Sequence, residues 1–177
     1  QRKRQTPVLL LATLALLTAC PGGADAGKGE GGGGKPVKKK KVSKSDDELA
    51  EQLQSVQAKL EGPATAGLIA EIRPQLQEVA DSAQDPHLRA NASLLLGSIL
   101  EELGERKQAI SYYEQAKVLV PEEVAPYAIL ALALAAEKEW DKAIENQLEV
   151  VKMDPDDLQG WLLLGEMYVK GDKGEDA

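Results

Sequence analysis

The side chains able to do covalent, metal or proton-transfer chemistry are few and scattered. One His and one Cys occur in 177 residues, so a His/Cys metal cluster or a Cys-His nucleophilic pair is nearly excluded. Three acidic pairs, Glu101-Glu102, Glu122-Glu123 and Asp156-Asp157, have the residue type for general acid–base work or cation binding. None has the His or Gly-rich context that a catalytic or calcium site requires. They fall where helices should begin or end, and there carboxylates solvate the fold or favour the helix dipole. His87 follows Pro86 at a helix entrance with no partner in a recognisable motif, and reads as a surface or capping residue without a functional role. Phe is absent and aromatics are scarce, which argues against a base-stacking platform. The net charge of −8 argues against a phosphate-tracking surface. The chain is expected to be non-enzymatic, with no metal, no cofactor and no nucleic-acid partner.

What is ordered is the spacing of apolar and small residues. From Ala90 to Ala177 one pattern returns every 34 positions. Ser93, Leu96, Gly97, Leu100, Ala109, Tyr113, Ala116 and Pro121 are matched by Tyr127, Leu130, Ala131, Leu134, Ala143, Gln147, Val150 and Pro155. A second shift gives Trp161, Leu164, Gly165, Tyr168 and Ala177. Apolar residues at three- and four-residue spacing predict helices over Ala90–Leu103 and Arg106–Leu119, with Gly104 suited to a helix end. Gly97, Ala109 and Ala116 let the two helices approach closely, and Tyr112, Tyr113 and Leu119 fill the remaining space. Pro121 and Pro155 stop each second helix.

This pattern resembles the tetratricopeptide repeat, and Trp161-x2-Leu164-Gly165-x2-Tyr168 matches the opening of that family's motif at every defined position. The resemblance implies an all-α fold, a right-handed helical solenoid. Repeats are expected at 90–123 and 124–157, with a partial third at 158–177. Residues 46–86 form two helices before them. Ser45-Asp46-Asp47-Glu48 offers an N-cap ahead of Leu49, Leu53, Val56 and Leu60, and Gly62-Pro63 ends that helix. A second stripe runs through Leu68, Ile69, Ile72, Leu76, Val79 and Ala80, with Pro74 expected to kink or shorten it. The pair reads as a cap or degenerate repeat. At the far end, Gly171–Asp176 reads as an inter-helix turn, so that Trp161, Leu164 and Tyr168 would face water. Further repeats are expected beyond Ala177, and a few residues before Gln1.

The N-terminal segment has a different character. Arg2, Lys3 and Arg4 precede the apolar run Val8 to Leu17, which is shorter than the roughly 20 residues of a membrane span and has the order of a secretory signal. Leu17-Thr18-Ala19-Cys20 resembles a bacterial lipobox. By that resemblance residues 1–19 are a signal peptide, and Cys20 becomes the first mature residue and carries diacylglycerol and acyl lipid. The absence of Asp after Cys20 implies sorting to the outer membrane, facing the periplasm. Residues 20–45 lack apolar periodicity and are expected to be a disordered tether. Cys20 to Lys44 carries seven Lys against Asp25 and Glu30, a net of +5, whereas Ser45 to Ala177 has 11 Lys and Arg against 27 Asp and Glu, a net of −16. The basic run around Lys38-Lys39-Lys40-Lys41 is either a solvated linker, a contact for anionic headgroups or a segment that folds back on the acidic repeats.

The family's groove positions, carried onto this sequence, are Asn91, Leu94, Ser98 and Glu101, then Ala125, Ala128, Leu132 and Ala135, then Gln159, Leu162, Glu166 and Val169. The resemblance implies that an extended or helical segment of another protein binds there. The carboxylate-clamping subclass uses Lys, Arg and Asn at such positions. Asn91 alone resembles that set, and Ala128, Leu132 and Glu166 depart from it. Ala128 to Ala136 is apolar around the whole helix, so either neighbouring helices or a partner's apolar segment covers its inner side. The chain thus reads as an envelope scaffold similar to the pilotins, lipoproteins that help assemble a pilus secretin. The alternatives are a docking arm for an envelope enzyme whose catalytic part lies further on, and a module associated with the cell wall.

Overall fold

The computed structural model describes residues 44–61 and 65–172. The signal segment, Cys20 and the tether as far as Ser43 lie outside the described residues, as do 62–64 and 173–177. The described chain consists of helices α1 (Asp46–Leu60), α2 (Ala66–Ser82), α3 (Pro86–Glu102), α4 (Arg106–Leu119), α5 (Val124–Ala136), α6 (Trp140–Met153) and α7 (Leu158–Asp172), each packed mainly on its neighbours in sequence. Among the described residues there is no strand, and no helix is long and apolar enough to cross a membrane.

Local chemistry accounts for the boundaries. Ser45 and Glu48 form a reciprocal capping box at α1: the Ser45 hydroxyl accepts from the Glu48 amide, and the Glu48 carboxylate accepts from the Ser45 amide at 2.9 Å. At α2 the cap is one-sided, the Thr65 hydroxyl accepting from the Leu68 amide at 3.3 Å. The helix α2 continues through Pro74 rather than stopping there. Pro74 and Ala70, whose carbonyl loses its donor, are both exposed, so water can replace the missing bond. α3 begins at Pro86, four residues before the apolar pattern predicts. Pro at the first helical position loses no internal bond, and the Asp85 carboxylate accepts from the His87 amide at 2.9 Å. At the other end α7 runs through Gly171 and Asp172, where a turn was predicted. A Cβ on Gly171 would lie 3.1 Å from Trp140 Cβ, so this glycine permits close contact with the start of α6.

Two apolar clusters form the core, and α3 belongs to both. Ala92, Leu95, Leu96 and Ile99 join the stripes of α1 and α2. Ala90, Leu94 and Leu100 join Ala109, Tyr113 and Ala116 of α4 and Ile129, Leu130, Ala133 and Leu134 of α5. The helical pair α1–α2 therefore shares a core with the first repeat. Asp46 strengthens that junction, its carboxylate accepting the Gln84 and Asp85 amides at 2.8 and 3.0 Å. The second helices are also linked in series: Tyr112 donates to Gln77 of α2 at 2.8 Å, and Lys117 to Asn146 of α6 at 3.0 Å.

Close approach within the first repeat depends on one glycine. A Cβ built on Gly97 would overlap the Tyr113 ring, so α3 and α4 meet with the ring against bare backbone. The turn that follows is closed by Gly104 at φ 80°, with Glu105 N–H bonded to Leu100 O and Gly104 N–H to Glu101 O. These two bonds are those of a Schellman motif.

Candidate protein-binding surface

Packing divides the twelve predicted groove residues into three groups. Leu94 and Ser98 are fully buried, and Ala125 and Glu101 nearly so. This corrects their assignment as ligand contacts: Leu94 belongs to the core shared with α5, and the Ser98 hydroxyl donates back to the Leu94 carbonyl at 3.0 Å. Asn91, Ala128, Leu132 and Ala135 are half-buried. Gln159, Leu162, Glu166 and Val169 are exposed, with Leu162 at 63% and Val169 at 55%. The predicted positions that remain open thus lie on α5 and α7, a strip that is apolar at Leu132, Leu162 and Val169 and polar at Gln159 and Glu166. On α5, packing covers Ile129, Leu130, Ala131, Ala133 and Leu134 and leaves Ala128, Leu132 and Ala135 partly open.

Glu101 has a different place from the one expected of a solvated helix-end acid. Its carboxylate accepts the Tyr113 hydroxyl at 2.9 Å, and its second oxygen lies 3.7 Å from Arg106 Nε. Burial raises its carboxyl above the ordinary range, while the Tyr113 bond and the Arg106 charge oppose that rise. The Tyr113 phenol is held well above its usual value, chiefly by burial and then by the Glu101 charge. Arg106 also donates to Glu137 at 2.8 Å, so this polar cluster joins α4 to the end of α5. Sequence reasoning missed it because its members are spread over 37 positions, from Glu101 to Glu137, and none sits in a motif.

His87 was assigned no role, and the structure gives it a connecting one. Its Nδ1 lies 2.7 Å from the Glu123 carboxylate, which joins the start of α3 to the entrance of α5. The bond to Glu123 raises the imidazole above 6.5 against a smaller loss from burial, and the charges of Glu123, Asp85 and Glu122 add to the rise. Among the described residues no cluster of His, Cys, Asp and Glu suits a metal ion.

The helix pair that carries these features corresponds to one family model. Residues 92–123, from the body of α3 to the entrance of α5, match the tetratricopeptide repeat. The chain carries a tetratricopeptide repeat. No curated protein matches the chain. The tetratricopeptide pair α3–α4 is followed by α5–α6 with small residues at the same positions: Ala131 replaces Gly97, Ala143 replaces Ala109, and all four are buried. Such a repeat is a protein-interaction scaffold, consistent with the open strip on α5 and α7.

Proposed function

We propose that this chain is a lipid-anchored scaffold that binds a segment of another envelope protein along the α5–α7 strip. The observation that carries the reading is the exposure of Leu162 and Val169 on α7 together with the half-open Leu132 on α5. Large apolar groups on the first helices of successive repeats suit an amphipathic or extended partner segment. The anchor is inferred from Leu17-Thr18-Ala19-Cys20 and the basic, apolar leader before it, and Pro21 in place of Asp after Cys20 supports an outer-membrane location facing the periplasm. A role like that of the pilotins, in assembling a pilus secretin or a similar envelope complex, follows from the combination of anchor and repeats.

The test is capture from detergent-solubilised envelopes by the full chain. Wild type is expected to retain a defined envelope protein that both Leu132→Glu and Leu162→Glu lose while circular dichroism stays unchanged. Leu162 is a surface position, so its variant separates recognition from folding. Cys20→Ala should move the chain from the membrane fraction to the soluble one. Capture unaffected by either groove variant would sink the recognition surface, and unchanged membrane partition of Cys20→Ala would sink the anchor.

A further inference from the structure

Ser93 occupies the position that is aromatic in the next two repeats. Its counterparts, 34 and 68 residues on, are Tyr127 and Trp161. Both rings are anchored alike: Tyr127 donates its hydroxyl to the Pro121 carbonyl at 3.2 Å, and Trp161 its indole N–H to the Pro155 carbonyl at 3.0 Å. The Tyr127 ring also lies beside the preceding second helix, with Lys117 Nζ 5.6 Å from its centroid. For Ser93 the preceding second helix is α2. Ser93, which has no ring, lines a cavity of ≈ 370 Å³ together with Ala80 of α2, Arg89 of α3, and Glu114, Val118 and Leu119 of α4.

We propose that this cavity is a docking site for a Tyr or Trp side chain of a partner polypeptide. The two equivalent positions each carry an anchored aromatic side chain, and here the position carries Ser93 beside an open cavity. The walls have the matching chemistry. Ala80, Val118 and Leu119 offer apolar contact, and Val118 is 77% exposed at the rim. Arg89 is steadied by donating its Nε to the Ala80 carbonyl at 3.1 Å, which places a cation beside the ring face. The equivalent of Pro121 is His87, whose carbonyl lies within the first turn of α3 and is committed to the helix. The acceptors on the cavity wall for a phenol or indole donor are therefore side chains, the Glu114 carboxylate together with Gln115 and Ser111. This site is separate from the α5–α7 strip and stands or falls independently of it.

The probe is N-acetyltryptophanamide, titrated into the full chain and followed by amide NMR shifts, with N-acetylleucinamide as the control. Saturable shifts are expected at Ala80, Ser93, Val118 and Leu119 with the aromatic probe and not with leucine. Ser93→Trp should fill the cavity from within, raise the melting temperature and abolish those shifts. Because that variant could fail to fold, Val118→Glu at the exposed rim gives a second reading: it should weaken the aromatic probe by about threefold or more, as expected for a partly exposed apolar contact replaced by charge. Shifts scattered over the surface, equal response to leucine, or unchanged binding in a folded Ser93→Trp or in Val118→Glu would each overturn the proposal.

Discussion

Lys138 and Gly104 occupy the same place in successive repeats, one residue past the C-cap of the first helix, and both have positive φ, 63° and 80°. Glu139 N–H bonds to Leu134 O and Lys138 N–H to Ala135 O, as at Gly104, so the closing geometry is conserved although its residue is not glycine. A side chain in the left-handed region is strained by its Cβ. Lys138→Gly should therefore relieve about 1–2 kcal/mol of strain and, after what glycine costs through the unfolded chain, leave a net gain of about 0.5–1 kcal/mol, read as a higher urea midpoint. Glu101 offers a pH test at the same scale. Its carboxyl is raised on folding above the ordinary 4.5, so the folded state favours the protonated acid. That stability is complete below the unfolded value and is lost as pH rises through the folded one. Glu101→Gln keeps an acceptor for the Tyr113 hydroxyl and removes the buried charge. The variant should match wild type at pH 4 and exceed it at pH 7 in denaturation midpoint; a lower midpoint at pH 7 would show that the Arg106 attraction outweighs burial.

At the scale of elements, helix pairing depends on which small residue faces which large one. Gly97 lies under the Tyr113 ring, and a methyl group there overlaps the ring atoms. Tyr113 is fully buried and tied to Glu101, so the ring has no free direction in which to move. Gly97→Ala gains helix propensity but should cost about 1–3 kcal/mol from overpacking, measured by chemical denaturation. Gly97→Ala combined with Tyr113→Leu should recover part of that loss relative to Tyr113→Leu alone, because the overlapping atoms are gone. The contrast with Gly165 is informative. It is the counterpart of Gly97 on α7, yet a Cβ there meets nothing within 4 Å, so Gly165→Ala is expected to be neutral or mildly stabilising in the described structure.

Across the whole molecule, burial at equivalent positions changes with the number of neighbours. Leu134 on α5 is 2% exposed between α3, α4 and α6–α7, and its counterpart Tyr168 on α7 is 51% exposed. Each helix contacts only those near it in sequence, so stability should grade along the stack. Leu134→Ala should cost about 2–5 kcal/mol, the usual range for a buried leucine, whereas Tyr168→Ala should cost much less. Hydrogen exchange should find α7 opening before α3, which is buried along almost its whole length. Equal protection of α7 and α3 would show that the stack unfolds as one unit.

The 34-residue periodicity alone was enough to give the helix pairs, their proline stops and the close approach at Gly97, because those depend on spacing and residue size, which are local. The cap pair escaped that register: α1 and α2 begin 40 residues before α3 and α4, Asp46 against Pro86 and Ala66 against Arg106, so a fixed 34-residue shift cannot align it. Which groove positions remain open was decided only by the fold. Leu94 and Leu162 hold the same repeat position and are both leucine, but Leu94 is sealed in the core that α3 shares with α4 and α5 while Leu162 is exposed. The buried Glu101–Tyr113–Arg106 cluster and the empty place beside Ser93 were likewise invisible in the chain order. Accessibility, carboxylate burial and cavity volume are set by several helices at once, and no single stretch of residues encodes how neighbouring helices cover it.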